Sequence, residues 1–303
     1  MADTAPAEAP VETRPARFRN FCSDFARSPV AVVSLIMIVL LLFVSFAAPL
    51  VSPQDPYDMA KLDWLDAFLK PGTVGSGGYT HILGTDNVGR DMLSAIFYGL
   101  RTSFVIGLSA GALALLVGIC VGLSAAYFGG RIEAFLMRIV DLQLSMPAIL
   151  LALVLVAVLG QGVGQIILAL VIAQYAYFAR TTHGAATVER GKDYIEAARS
   201  TPLPTGRVLF RHLLPNVLPP LIVVATVQVA SAIALEATLS FLGVGLPLTE
   251  PSLGSLIANG FKYIHTDRYW LSIYPGLFLM VTVVTINLVG DQVRTVLDPR
   301  RSR

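Results

Sequence analysis

Two short stretches of this sequence match patterns that carry chemistry in other proteins. The first, residues 107–111, reads Gly-Leu-Ser-Ala-Gly and fits the G-x-S-x-G pattern of a serine nucleophile. That chemistry needs a sharp turn between a strand and a helix, together with a histidine that acts as base. Residues 107–111 instead lie inside a long apolar block, with no histidine nearby. The stretch therefore predicts helix packing, and no nucleophile.

The second stretch, residues 84–91, reads Gly-Thr-Asp-Asn-Val-Gly-Arg-Asp and resembles the phosphate-binding loop G-x-x-x-x-G-K-[ST]. Arg90 replaces the lysine, and Asp91 replaces the hydroxyl, so a carboxylate would face the phosphate oxygens. No strand is predicted before this loop. We therefore expect no ATPase site and no bound cofactor in this chain, and any ATP and Mg²⁺ would bind to a partner. The four histidines lie on different loops and predict no metal site.

Glu236 is the one carboxylate predicted deep within an apolar block. Because an unpaired charge at membrane depth is costly, such a residue is a hypothesis for function by default. A proton relay is one hypothesis, and a structural or gating role satisfied by neighbouring partners is another. A proton-driven carrier usually has several such groups, and this chain has one clear case.

The elements that would position these residues are apolar blocks. Apolar residues make up 55% of the 303 residues and charged residues 14%, whereas soluble domains have about 45–50% and roughly 25%. Several blocks are long enough to cross a hydrocarbon core of about 30 Å at 1.5 Å per residue. Six transmembrane helices are predicted, with the third and fourth joined by a tight turn at residues 160–164: 30–50, 102–128, 139–159, 165–182, 218–242 and 272–290.

The distribution of basic residues orients these spans. With the amino terminus inside, 16 of the 22 Lys and Arg residues fall on the inner side and 6 fall outside, as the positive-inside rule requires. Both termini are therefore predicted to be cytoplasmic. The division is an inner tail (1–29), a first span (30–50), an external segment (51–101), five spans with an inner loop at 183–216 (102–291) and an inner tail (292–303). The inner loop is predicted to form two short helices, and its length suggests a docking surface.

Span two carries small residues at helical spacing. Gly107, Gly111, Gly118 and Gly122 fall on one narrow stripe at about 100° per residue. Lipid supplies no hydrophobic drive for helix association, so small residues that permit close approach indicate a packing face.

The inner loop carries a recognisable motif. It reads Glu196-Ala197-Ala198-Arg199, and Leu214-Pro215-Asn216 begins eighteen residues after the glutamate. This resembles the coupling motif of binding-protein-dependent ABC importer permeases of type I. Residues 81–103, 236–243 and 290–300 resemble signatures of the oligopeptide/dipeptide/nickel branch, C-type subunit, and the resemblance covers about residues 17–300.

One position departs from the family pattern. The family places glycine six residues after the glutamate, where this chain has Pro202. Glycine can take positive φ, whereas proline is held near −65°. The turn must therefore be built differently.

The resemblance implies an all-α fold, that of a polytopic type I ABC importer permease in the bacterial inner membrane. It implies that the chain is the permease subunit, with a second permease (a heterodimer), two ABC ATPases and an external binding protein as partners, and no nucleic acid. Peptides are the substrate expected by resemblance, with nickel or another solute left open. Coupling to the ATPase is expected of Glu196, Ala197, Ala198, Arg199, Pro202, Leu214 and Pro215. A signature or gating role is expected of Gly84, Thr85, Asp86, Gly89, Arg90, Asp91 and Glu236.

Three alternatives remain at this stage. A secondary transporter driven by protons or sodium would use Glu236. A polytopic membrane enzyme would need an H-E-x-x-H motif, a carboxylate pair or a Ser/His arrangement at membrane depth, and the sequence shows none. A membrane scaffold would leave the coupling motif unexplained.

Overall fold

The computed structural model of the protein describes residues 21–58, 62–200, 203–247 and 250–297. This part of the chain is mostly helical. Between α2 and α3 lie a 3-10 turn (Trp64–Asp66) and an antiparallel pair of short strands, β1 (Thr73–Val74) and β2 (Thr80–His81). The helices, in chain order, are α1 (Pro29–Phe46), α2 (Ala48–Val51), α3 (Met92–Phe128), α4 (Gly130–Leu144), α5 (Ala148–Leu159), α6 (Val163–Arg190), α7 (Asp193–Ser200), α8 (Thr205–Phe241), α9 (Leu253–Phe261) and α10 (Trp270–Leu297).

Five helices, α1, α3, α6, α8 and α10, are long and apolar enough to cross a membrane. The bent pair α4 and α5 makes a sixth span if it is counted as one. The predicted third span, 139–159, corresponds to part of this bent pair and not to one continuous helix, because α4 ends at Leu144 and α5 turns away from it by 92°. Pro147 explains the break, since it has no backbone N–H and its ring disfavours a helical conformation at Met146.

The start of α3 also differs from the predicted span 102–128. The helix begins ten residues earlier, at Met92, within the segment predicted to be external. The Asp91 carboxylate caps it by accepting hydrogen bonds from the Ser94 backbone N–H at 2.8 Å and the Ser94 hydroxyl at 2.7 Å. Such a cap satisfies first-turn donors that have no partner within the helix.

The segment predicted as the inner loop, 183–216, contains one separate short helix instead of two. α6 continues to Arg190, and α7 follows after two residues. The second predicted helix is the first part of α8, in which Val208–Leu213 form a π-helical segment. In sequence, α7 therefore lies between two long helices, α6 and α8.

Candidate functional site

The side chains of Tyr194 and Ile195 fasten α7 to the helix bundle. Ile195 is 0% exposed and packs in a cluster with apolar residues of α3, α6 and α8, including Leu123 and Leu213. Such burial fixes the position of α7 relative to three long helices, since close-packed interiors transmit displacement.

A hydrogen-bond network adds a second attachment. The Tyr194 hydroxyl donates to the Glu189 carboxylate at the end of α6, and it accepts from the Asn216 amide of α8 at 2.9 Å. Burial, together with the neighbouring Glu189 carboxylate, raises the pKa of Tyr194 to about 12. Tyr194 therefore stays a neutral donor at physiological pH and links the ends of α6 and α8 through α7.

The opposite side of α7 is open. Glu196 and Ala197 are exposed. Leu214 is half-buried beside the Ile195 cluster, and Pro215 is exposed. Pro202 and the side chains of Ala198 and Arg199 lie outside the described residues. The predicted coupling residues that are described thus divide between the exposed surface and the edge of the core, and their role in coupling stays a prediction.

Arg207 and Arg211 are also exposed near the start of α8. Together with Glu196 they give the surface around α7 charges of both signs. A surface of this kind suits a polar protein partner better than lipid tails, because charged side chains in hydrocarbon are costly.

The four glycines of the α3 stripe touch two different helices. A Cβ atom at Gly107 would lie 2.5 Å from Ile233 of α8, and one at Gly111 would lie 2.9 Å from Val229. Further along α3, a Cβ atom at Gly118 would lie 2.3 Å from Phe178 Cβ of α6. One at Gly122 would lie 2.5 Å from the backbone of α6. A single stripe of small residues therefore lets α3 approach α8 at one end and α6 at the other.

Residues 84–91 form a closed loop held by its own ion pair. The Asp86 carboxylate accepts hydrogen bonds from the Arg90 side chain at 2.7 Å and from the backbone N–H of Arg90 and of Val88, each at 2.9 Å. The N–H groups that could cradle a phosphate are thus already taken by a carboxylate. The expectation that no strand precedes the loop is wrong, because β2 ends at His81. That the loop binds no nucleotide stays a prediction, and the occupied N–H groups support it.

The two glycines of this loop allow close approach of neighbouring backbone. Gly84 and Gly89 have φ of +79° and +80°, which favours glycine. A Cβ atom at Gly89 would lie 2.2 Å from the Asp63 carbonyl oxygen, and one at Gly84 would lie 2.6 Å from that of Leu69. Both glycines therefore let the loop pack directly against the backbone of the preceding segment.

A buried cluster behind the loop was missed in the sequence. His81 is 0% exposed, and its Nδ1 lies 3.0 Å from Asp91 Oδ1, while its Nε2 lies 4.0 Å from Asp66 Oδ2. Thr85 bonds to the backbone of Asp66 and Leu69. The cluster connects the loop to the cap of α3 through Asp91. The only signal in the sequence was the position of His81 within the family-like signature.

Glu236 of α8 is 0% exposed and bonds to hydroxyl groups of two helices. Ser240 Oγ donates to one carboxylate oxygen at 2.8 Å, and Ser103 Oγ of α3 donates to the other at 3.0 Å. Near it, a Cβ atom at Gly254 of α9 would lie 2.4 Å from the Ala237 carbonyl oxygen. Glu236 thus joins α3 and α8 beside a tight α8–α9 contact, and its structural or gating role stays a prediction.

No described group of three or more His, Cys, Asp or Glu side chains could hold a metal ion. The arrangement so far offers an attachment between helices, an exposed α7 and a buried carboxylate joined to serines.

Comparison with known proteins places this geometry in a family. The family model for the binding-protein-dependent transport system inner membrane component matches residues 118–303, and that for the N-terminal TM domain of oligopeptide transport permease C matches residues 17–71. The di/tripeptide transport system permease protein DppC of Pseudomonas aeruginosa is 37% identical over 98% of this chain and 96% of its own length. The dipeptide transport system permease protein DppC of Escherichia coli K12 is 38% identical over 96% and 95%.

The fold has solved counterparts. A structure of the methionine ABC transporter MetNI in an inward-facing conformation matches 68% of this chain and 97% of its own chain, with a TM-score of 0.55 and 21% identity. A second crystal form gives a TM-score of 0.52 at 22% identity. These matches concern the fold alone. Taken with the sequence relatives, they show that the chain belongs to the binding-protein-dependent transport system inner membrane components, as a multi-pass ABC importer permease subunit of the dipeptide/oligopeptide branch.

Proposed function

We propose that this chain forms half of the membrane pathway of a peptide importer. The other half is a second, different permease, two ABC ATPases bind and hydrolyse ATP with Mg²⁺, and an external binding protein delivers the peptide. The chain itself catalyses no reaction and binds no cofactor. Peptide is supported as the substrate by the relatives that cover nearly the whole chain, which are named for dipeptide and di/tripeptide transport.

The proposal rests on the difference between the two sides of α7. One side is locked to the ends of α6 and α8 through Ile195 and Tyr194, and the other side exposes Glu196. A helix that is rigidly attached on one side and exposed on the other can pass the motion of a docked ATPase to the spans as a rigid body. ATP-driven closure of the ATPases would then displace α6 and α8 together.

The distribution of basic residues supports one orientation of the chain in the membrane. The 16 basic residues on the predicted inner side, against 6 on the other, support cytoplasmic termini and a cytoplasmic α7. The loop of residues 84–91 and its His81 cluster would then face the binding protein.

Glu196→Lys tests the coupling role. We expect the variant to reach the membrane and assemble, because Glu196 is exposed, but to hydrolyse ATP with little peptide uptake, because its charge at the docking surface is reversed. The assay is uptake of a labelled dipeptide and ATP hydrolysis by the reconstituted complex. Asp291→Lys is the matched control, since Asp291 is also exposed near the same end of the bundle but lies on α10. Unchanged uptake in Glu196→Lys would contradict the assignment.

Copurification tests the partners. The tagged chain, extracted in mild detergent, should bring two ATPase subunits and a second permease. Recovery of the chain alone, stable and with no associated ATPase, would argue against the importer assembly.

A further inference from the structure

A cavity of about 820 Å³ runs along α8 between α6 and α10, in the half of the bundle that adjoins α7. Its polar lining side chains are Tyr177, Thr181, Asn216, Gln228 and Arg294. Polar side chains within spans face the bundle interior or a water-filled cavity, and they mark substrate pathways. The volume lies within the range of about 300–1,000 Å³ that is usual for small-molecule sites.

Two of these side chains lack partners within the described part of the chain. Gln228 is 8% exposed, and its Nε2 has no hydrogen-bond acceptor there. Buried amide donors in proteins are almost always paired, so this one is available to an acceptor bound in the cavity. Arg294 is exposed, makes no ion pair with a described residue and is the one charged side chain among the described lining residues.

The spacing between these two groups can be worked out. α8 and α10 are antiparallel, because residues 234–241 adjoin 276–283 at one end while Thr226 adjoins Gly290 nearer the other. Arg294 lies four residues beyond Gly290 toward α7, about 6 Å at 1.5 Å per residue, and Gln228 lies about 3 Å from Thr226 in the opposite direction. The two backbone positions are therefore about 9 Å apart along the bundle, a separation that the long arginine side chain and a short extended peptide, at about 3.3–3.6 Å per residue, can span together.

We propose that this cavity holds a di- or tripeptide in transit, with its terminal carboxylate on Arg294 and a peptide carbonyl accepting from Gln228 Nε2. The inference rests on the proposed function and adds a binding site on this chain. A guanidinium pairs with a carboxylate through two parallel hydrogen bonds, so it selects a free carboxyl terminus. Val223, Val224 and Val227 supply an apolar wall that makes no polar demand on the peptide side chains.

Cysteine protection in the reconstituted complex tests the site. Cys22 and Cys120 are replaced by serine, and single cysteines are introduced as Val223→Cys, in the cavity wall, and Thr266→Cys, which is exposed between α9 and α10 and does not line the cavity. The rate of reaction with a charged thiol reagent is measured as dialanine is titrated. We expect dialanine to slow the reaction of Val223→Cys at least several-fold and to leave that of Thr266→Cys unchanged.

Selectivity for the carboxylate gives a sharper readout. C-terminally amidated dialanine should protect Val223→Cys only at a concentration higher by roughly tenfold or more, because it lacks the charge-assisted hydrogen bonds to Arg294. Arg294→Gln should bring free dialanine to the level of the amide and leave the amide unaffected. Because Arg294 is exposed, this substitution is not expected to disturb the fold.

The outcomes separate the inference from the proposed function. Equal protection by free and amidated dialanine, or no protection in a complex that imports dialanine, would overturn the cavity assignment alone. A Val223→Cys that never reacts in the assembled complex would overturn it as well, because another subunit or lipid would then cover the cavity. A complex that imports no peptide, even with the unaltered chain, would contradict the proposed function itself.

Discussion

Gly118 of α3 lies directly against α6, so one added methyl group tests how tightly these helices pack. A Cβ atom at 118 would lie 2.3 Å from Phe178 Cβ and 2.8 Å from the Ala179 backbone nitrogen. Carbon atoms in ordinary contact are about 3.5–4.0 Å apart, so the helices would have to separate locally by about 1.2 Å. Overpacking of this kind costs about 1–3 kcal/mol. The higher helix propensity of alanine offsets up to about 1 kcal/mol of it.

Gly184→Ala is the matched control. Gly184 lies on α6, and no atom lies within 4 Å of a Cβ atom there. Both variants gain the same helix propensity, so the difference between them isolates the steric cost. Thermal unfolding in detergent, followed by loss of the monodisperse peak in size-exclusion chromatography, should place Gly118→Ala several degrees below Gly184→Ala, at roughly 2–4 °C per kcal/mol. Equal melting temperatures would refute the close contact between α3 and α6.

Three further predictions concern other parts of the fold. Gly89→Ala should make the segment 62–91 more sensitive to protease than Gly72→Ala does. Both glycines have positive φ, but only Gly89 faces a close atom, the Asp63 carbonyl oxygen. Equal sensitivity of the two variants would count against that contact. Glu236→Ala should lower the melting temperature more than Glu236→Gln, whose amide oxygen still accepts from one serine hydroxyl while its NH2 group can donate to the other, since an unpaired buried hydroxyl costs about 1–3 kcal/mol; indistinguishable variants would show that the serine hydroxyls need no polar partner at position 236. Tyr194 has its pKa raised from 10.0 to about 12, so its stabilising effect is present below about pH 10 and is lost as pH rises toward 12; the unaltered chain and Tyr194→Phe should show nearly equal tyrosinate absorbance at pH 11, and a difference of one full tyrosinate would contradict this.

The membrane-spanning blocks were predictable because lipid imposes a local requirement on the chain. A helix in hydrocarbon needs about 20 mostly apolar residues, and it satisfies its backbone hydrogen bonds internally. The ends of the spans were less predictable. α3 begins ten residues before its apolar block, at the Asp91 cap, and the third predicted span breaks at Pro147, which a hydropathy pattern does not register.

The hydrogen-bond partners of Glu236 show the same division between what the sequence predicts and what it does not. Ser240 lies one turn after Glu236, so helical spacing alone places them together. Ser103 is 133 residues away in sequence and meets the same carboxylate only through the packing of α3 on α8.

By itself, the sequence determined that the chain spans a membrane, which family it resembles and that the α3 glycines form one stripe. These properties depend on composition and on helical periodicity, which are local. Only the tertiary structure decided that this stripe meets two helices, that Ile195 locks α7 to three others and that Gln228 and Arg294 line one cavity. Each of these depends on the angles at which the long helices bend and cross. Those angles are set by contacts between residues far apart in the chain.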